Sequence, residues 1–365
     1  MTPDKLPSDA PPMSDTAIRW NSAEREADFR QWLGALEGPQ QLAPQSLRLA
    51  SSDASFRRYF RVDASAGSRI IMDAPPDKEN CQAFVHVARL MQEAGLHVPH
   101  VLAWDEARGF MLLSDLGAKT MMQHLDRERP AANLGLYLQA VDALIAWQLA
   151  SRPGVLPPYD ETLLRRELEL FPDWYLARHR AAAIEGDLRR TLDDTFKQVI
   201  ARNLSWPAVY VHRDFMPRNL MIPDNANEAR LGVLDFQDAV HGPITYDIAS
   251  LMRDAFLSWD EEFVLDVTVR YWHKARAAGL PVGDDFGEFY RGVEWMGLQR
   301  HLKVAGIFAR LTLRDGKPRY LADAPRFIAY LRATASRYRE LTPLLRLIDR
   351  VEGIAPVTGF AYGRV

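Results

Sequence analysis

Apolar and polar positions follow two rhythms along the chain. Up to about residue 117 the apolar runs are short and strand-like, and beyond it they recur at helical spacing over long stretches. Residues 22–36 predict an amphipathic helix with Phe29, Trp32, Leu33 and Leu36 on one face, ended by Gly38-Pro39. Residues 46–50, 56–62 and 68–76 predict three strands. Within the second, alternation places Phe56, Arg58, Phe60 and Val62 on one face. An arginine in that company is either snorkelling or reaching a partner. Residues 79–95 predict a helix closed by Gly95, and 100–104 with 109–117 a hairpin.

The second half is helical in pattern. Residues 133–151 predict a long apolar helix, and 160–180 an amphipathic, aromatic-rich one kinked or divided at Pro172. Gly242-Pro243 reads as a turn before a helix that begins near Tyr246-Asp247. In 294–311, Trp295, Leu298, Leu302 and Ala305 predict a buried face, with Gln299, Arg300, His301 and Lys303 adding polarity. The pattern therefore predicts an α+β chain in three parts. Residues 1–20, with four prolines in the first twelve positions, predict a disordered leader. Residues 21–116 predict a small antiparallel-sheet lobe and 117–365 a mostly helical one.

One stretch carries chemistry. In 208–238 a strand-like run leads into His212-Arg213-Asp214, Asn219 follows five residues after Asp214, and a second run leads into Asp235. This is the H-x-D-x-x-x-x-N…D arrangement of kinase-like enzymes. Phosphoryl transfer needs a group to orient and deprotonate the attacking hydroxyl, and hard oxygen ligands for Mg²⁺. Asp214 is the candidate base; Asn219 and Asp235 are the candidate metal ligands. Any one of these positions alone is a common turn residue. Asp247 is either a brace for this loop or a simple helix cap.

Three further assignments follow from position. The small polar turn Ser51, Ser52, Asp53, Ala54 and Ser55 is placed to offer backbone N–H groups to a triphosphate. Ser114, Asp115 and Leu116 fall where a hinge would meet adenine. The third strand lacks the lysine that kinases use on the phosphates. Lys78, Arg57 and Arg58 are the candidate replacements.

With these parts together, the chain resembles the aminoglycoside phosphotransferase/choline kinase group, from about residue 20 to the end. It lacks the G-x-G-x-x-G and A-P-E motifs of protein kinases proper, and Asp235 is followed by Phe236-Gln237 where those kinases have Phe-Gly. SSDASFRRYFRV, MDAPPDKENCQAFV, VHRDFMPRNLM, GVLDFQDAVHGPITYDIASL and LQRHLKVAGIFARL resemble one bacterial subfamily, the anomeric N-acetylmuramate/N-acetylglucosamine kinases of cell-wall recycling. The resemblance implies a bilobal protein-kinase-like fold, ATP and Mg²⁺, and phosphorylation of an amino sugar at its C1 hydroxyl. It assigns Asp214 as base, Asn219 and Asp235 to Mg²⁺, and Ser51 to Ser55 to the triphosphate. Arg178, Arg180, Arg218 and Arg300 are candidate contacts for a lactyl carboxylate, and Asp238 is a candidate contact for a cationic acceptor. The alternatives are a phosphotransferase acting on an aminoglycoside, choline-like amine or other hydroxyl acceptor, and a pseudokinase.

Composition narrows the setting. A formal charge of −3 gives no nucleic-acid footprint. No apolar run is long enough to span a membrane, and the first residues lack the apolar core of a signal peptide. The single cysteine, Cys81, rules out an internal disulfide and fits a reducing cytoplasm. Nothing in the sequence specifies an oligomer.

Overall fold

The computed structural model describes residues 18–20, 22–52, 56–224 and 228–355. Asp53, Ala54 and Ser55, and residues 1–17 of the expected leader, lie outside these. The chain is α+β. Its elements are α1 (Ala23–Gln40), β1 (Leu42–Ser52), β2 (Arg58–Ala64), β3 (Gly67–Asp73), α2 (Cys81–Glu93), β4 (Val101–Asp105) and β5 (Phe110–Ser114). Then come β6 (Lys119–Thr120), α3 (Met121–His124), α4 (Leu134–Leu149), α5 (Glu161–Leu168), a π-helical segment Phe171–His179 and α6 (Gly186–Leu204). The remainder is β7 (Ala208–Val211), β8 (Leu220–Ile222), β9 (Gly232–Val233), β10 (Val240–Pro243), α7 (Thr245–Met252), α8 (Glu261–Ala277), α9 (Phe286–Leu313), α10 (Ala324–Arg337) and α11 (Thr342–Glu352). The described residues up to Val85 with Pro99–Asp115 form one compact unit, and His86–Val98 with the chain from Leu116 onward form a second.

The first unit is built on an antiparallel sheet in the order β1-β2-β3-β5-β4. Helix α1 lays Phe29, Trp32 and Leu33 against Phe60, Val62, Ile71, Phe110 and Leu112 of that sheet. The helix continues through Gly38-Pro39 to Gln40, where the sequence reading ends it. Pro39 sits in the last turn, so its missing N–H removes only a terminal ladder bond. Gln41, in the left-handed region at φ 51°, closes the helix through its N–H. Residues 18–20 also depart from the leader assignment. Trp20 packs on Phe29 and Phe60, with ring centroids 4.8 and 5.7 Å apart.

The alternation drawn for 56–62 holds for Phe60 and Val62, both fully buried, and fails for Phe56, which precedes β2 and is 65% exposed. Arg58 reaches a partner. Its Nε donates to Asp73 at 3.0 Å, while Arg25 holds the other carboxylate oxygen at 2.5 Å. Asp73 is fully buried, so the two guanidiniums supply the charge and hydrogen bonds that its burial requires.

The second unit is mostly helical around α9, a 28-residue helix buried on nearly every side. The divided 160–180 pattern resolves into α5 and the π-helical segment, with Pro172 in the first turn of the latter. Gly242-Pro243 are not a turn but the end of β10, paired with Val209 and Ala208. Proline is tolerated at such a strand end. Gly242 is needed there because a Cβ would stand 2.6 Å from that of Tyr159. Among the described residues no helix is long and apolar enough to cross a membrane.

Gly306 lets α9 approach the chain at Leu170. A Cβ there would lie 2.3 Å from the Leu170 carbonyl oxygen, a backbone atom with little room to move. Gly306→Ala is expected to destabilise the protein by about 1–3 kcal/mol. A urea midpoint equal to wild type would refute this close approach.

Candidate active site

A two-stranded ribbon, β7 with β10, and a small three-stranded sheet in the order β6-β8-β9 build the site. β7 pairs with β10, and β8 with β9. The β8–β9 register sets Leu220 opposite Val233, so Asn219 just before β8 and Leu234 just after β9 share one end of the ribbon. The Leu234 N–H donates to the Asn219 carbonyl at 2.9 Å, which delivers Asp235 beside Asn219. The Asn219 Nδ2 donates to the Asp214 carbonyl at 2.8 Å and lies 3.3 Å from Asp235 Oδ2. The three residues singled out by spacing are therefore brought together.

The backbone at the site is strained. Arg213 and Asp235 stand at φ 77° and 64°. Left-handed non-glycine residues cost about 1–3 kcal/mol each and persist only where neighbours over-determine them. Around Arg213 the neighbours are visible. Asp247 accepts from the His212 N–H at 2.7 Å and the Arg213 N–H at 3.0 Å. Asp247 is thus the brace rather than a simple cap. Arg300 donates to the Arg213 carbonyl at 2.5 Å, and the Arg213 guanidinium reaches Glu167 at 2.5 Å.

His212 is buried and works through both ring nitrogens. Nδ1 accepts from the Asp214 N–H at 3.3 Å and Nε2 lies 2.9 Å from the Leu234 carbonyl. That pairing requires a neutral ring with its proton on Nε2. Burial disfavours the charged form and pushes the pKa down to about 4. In proton–nitrogen correlation spectra, His212 is expected to keep its Nε2–H form from pH 8 down to pH 5. A titration midpoint near the ordinary value of about 6.5 would contradict this packing.

The Asp214 carboxylate is 41% exposed, unlike its surroundings. Partial burial pushes its pKa up, but Lys303, Arg300 and Arg213 outweigh that and hold it below the usual carboxylate value. It is ionised at neutral pH and open to a ligand. Asp235 is also exposed, and Gln237 Nε2 donates to its Oδ1 at 2.9 Å.

The donor set suits a hard cation of modest demands. Among the described residues no group of three or more His, Cys, Asp or Glu is placed to hold a metal. Mg²⁺ does not ask for one, since it is commonly held by one or two carboxylates plus phosphates and water. Asn219 is oriented by its Nδ2 bond to the Asp214 carbonyl, which leaves its amide oxygen to serve beside the Asp235 carboxylate.

Residues 46–282 match the phosphotransferase enzyme family (APH). The chain belongs to that family. The phosphotransferase is 51% identical over 312 residues to the N-acetylmuramate/N-acetylglucosamine kinase of Pseudomonas aeruginosa, covering 86% of this chain and 90% of that one. It is 46% identical over 342 residues to the N-acetylmuramate/N-acetylglucosamine kinase of Neisseria meningitidis serogroup B, covering 93% and 100%. Its fold is shared with a choline/ethanolamine kinase family protein from Mesorhizobium loti, at TM-score 0.59, 16% identity and coverage of 89% and 99%. An ADP-bound aminoglycoside phosphotransferase superposes at TM-score 0.55 and 14% identity, covering 84% and 97%. The protein-kinase-like fold expected from the motifs is thus the fold of this phosphotransferase.

The other residues named from sequence have their own local partners. The backbone of Ser51 and Ser52 ends β1. Ser114 Oγ accepts from the His100 N–H at 2.8 Å, and Asp115 pairs with Arg61 at 2.5 Å and accepts from Ser68 at 2.7 Å. Leu116 is buried. Of the cations weighed for the missing lysine, Arg58 is engaged by Asp73, and Lys78 is exposed beside Asp77. Arg57 forms a largely enclosed pair with Glu79 at 2.9 Å. Arg178 is exposed and lies 3.9 Å over the Trp174 ring, and Arg218 lies 4.6 Å over Phe256. The Asp238 side chain is exposed, and its carbonyl accepts from Arg213 at 3.4 Å. Arg300 is buried and donates to the loop that carries Asp214.

Glu167 escapes the sequence reading. It sits with Leu164 and Leu168 on the buried stripe of α5. A carboxylate at an apolar stripe position was the available signal.

Proposed function

We propose that the protein is an ATP-dependent kinase that phosphorylates the anomeric hydroxyl of N-acetylglucosamine and/or N-acetylmuramate. The observation that carries the reading is the Asn219 amide, which ties the backbone of Asp214 to the carboxylate of Asp235. The acceptor class is drawn from the curated relatives, which bear that substrate pair in their name. In this reading Asp214 accepts a hydrogen bond from the C1 hydroxyl and takes its proton. The sugar oxygen bonds the γ-phosphorus in line, the bond to the bridging oxygen breaks, and ADP leaves. Asn219 and Asp235 would hold Mg²⁺, which would supply positive charge against the phosphate oxygens. A hemiacetal hydroxyl is more acidic than an ordinary alcohol. It therefore suits a base whose proton affinity is lowered by the cations around it. Arg57, held by Glu79, is the proposed cation for the triphosphate in place of a third-strand lysine. The setting proposed is the cytoplasm, in cell-wall recycling, in keeping with the single buried Cys81.

The test is incubation with Mg-ATP and either sugar, followed by NMR of the product. An anomeric proton newly coupled to phosphorus is expected. Phosphate on another hydroxyl would overturn the regiochemistry. Turnover only with choline or an aminoglycoside would overturn the acceptor. ATP-dependent thermal stabilisation without turnover on any acceptor would overturn catalysis.

A further inference from the structure

Helix α9 carries Gln299, Arg300 and Lys303 on a segment where all three are buried, at 0%, 3% and 8% exposure. Polar groups enclosed in this way need partners, and charged ones need charged partners. The partners found here converge on the catalytic loop and on the residue that holds it. Gln299 Nε2 donates to Glu167 at 3.0 Å, and Lys303 Nζ lies 2.9 Å from the same carboxylate. Arg300 goes to the loop itself. One arm donates to the Arg213 carbonyl at 2.5 Å, and the other stands 3.9 Å from Asp214 Oδ1. The Tyr246 ring lies 4.8 Å beneath the guanidinium.

We infer that Arg300 is a positioning residue for Asp214. It pins the peptide between Arg213 and Asp214 from one side and faces the carboxylate from the other, so that the acceptor hydroxyl meets a group already aimed. The inference rests on Asp214 being the base. The left-handed Arg213 is held at three points: its N–H by Asp247, its carbonyl by Arg300 and its side chain by Glu167. On the peptide leading into Asp214, His212 Nδ1 accepts from the N–H at 3.3 Å and the Ser250 hydroxyl lies 3.4 Å from the carbonyl, while Arg300 supplies the shortest bond and the charged anchor. Loss of that anchor lets the peptide turn, and a misplacement of about 1 Å is enough to cost about 100-fold in rate. A planar fork is required, because one group serves a carbonyl and a carboxylate at once; lysine, a point charge on a flexible stem, does not reproduce it.

The experiment compares Arg300→Ala and Arg300→Lys with the intact full-length enzyme. It reads kcat, KM for N-acetylglucosamine, affinity for a fluorescent ATP analogue, and Tm. Both variants are expected to lose about 100-fold in kcat while sugar KM and nucleotide affinity stay within about threefold. Millimolar guanidinium, but not ammonium, is expected to return at least about tenfold of the loss in Arg300→Ala, because only the planar cation refits the space. A rise in sugar KM at unchanged kcat would make Arg300 a substrate contact and overturn the inference. So would wild-type kcat in both variants, or activity lost in step with Tm and not returned by guanidinium. Where Arg300→Ala does not fold, the kcat-against-KM split in Arg300→Lys decides. Asp214→Asn is assayed alongside. Turnover surviving there removes the base reading itself. Turnover lost there but normal in the Arg300 variants removes only this inference.

Discussion

Asp214→Asn is expected to lower kcat by about 10²- to 10⁴-fold while leaving the fold and nucleotide affinity close to wild type. The loss follows from removing the only proposed proton acceptor at the reacting hydroxyl. Preservation of the fold follows from where the loop's bonds lie. Asp214 holds the loop through its main chain: its carbonyl accepts from Asn219 and its N–H donates to His212. Asparagine keeps both. Its side chain is 41% exposed, so the change opens no cavity and leaves no buried carboxylate unpaired. Matched thermal melts and nucleotide titrations, with kcat from coupled ADP release, check each half of the statement. Turnover within about tenfold of wild type in the folded variant would remove Asp214 from the mechanism.

Glu167→Gln is expected to cost about 3–5 kcal/mol of stability. The Glu167 carboxylate is almost fully enclosed and receives Lys303, Arg213, Tyr159 and Gln299 at 2.9, 2.5, 2.5 and 3.0 Å. Burial pushes its pKa up, but Lys303 and Arg213 more than reverse that and bring it to about 2. A folded pKa below the unfolded value means that this group stabilises above about pH 4.3. That contribution is lost as pH falls through about 2. The neutral amide removes the countercharge while leaving two enclosed cations in place. It also presents its own N–H groups to donors. Urea unfolding at pH 7 measures the cost. A change below about 1 kcal/mol would mean that the cluster is not the closed network described. Activity is expected to fall further than the folded fraction, because Arg213 loses one of its anchors.

The readings from sequence held or failed according to range. Asn219 and Asp235 were legible as neighbours because they border one local ribbon, where strand register carries one to the other, and Asp214 because it lies only five residues before Asn219. Phe29, Trp32 and Leu33 were legible because helical period exposes a core face without knowledge of what covers it. Gly38-Pro39 and Gly242-Pro243 were read as breaks and proved to be element ends. A proline forfeits little at the end of an element, where at most one terminal ladder bond is lost. Arg58 could not be resolved from its strand, since its partner Asp73 becomes a neighbour only when β2 and β3 pair.

What the linear chain determined by itself is the α+β class and the candidate triad of Asp214, Asn219 and Asp235, because short spacings and periodicities are properties of adjacent residues. Only the tertiary structure decided what holds that triad in place. Glu167, Asp247 and Arg300 come from α5, α7 and α9, far apart in sequence, and meet at one strained residue, Arg213, with Lys303 of α9 backing Glu167. Their charges are tolerable in a buried setting only as partners of one another, and that partnership exists only once the helices have packed.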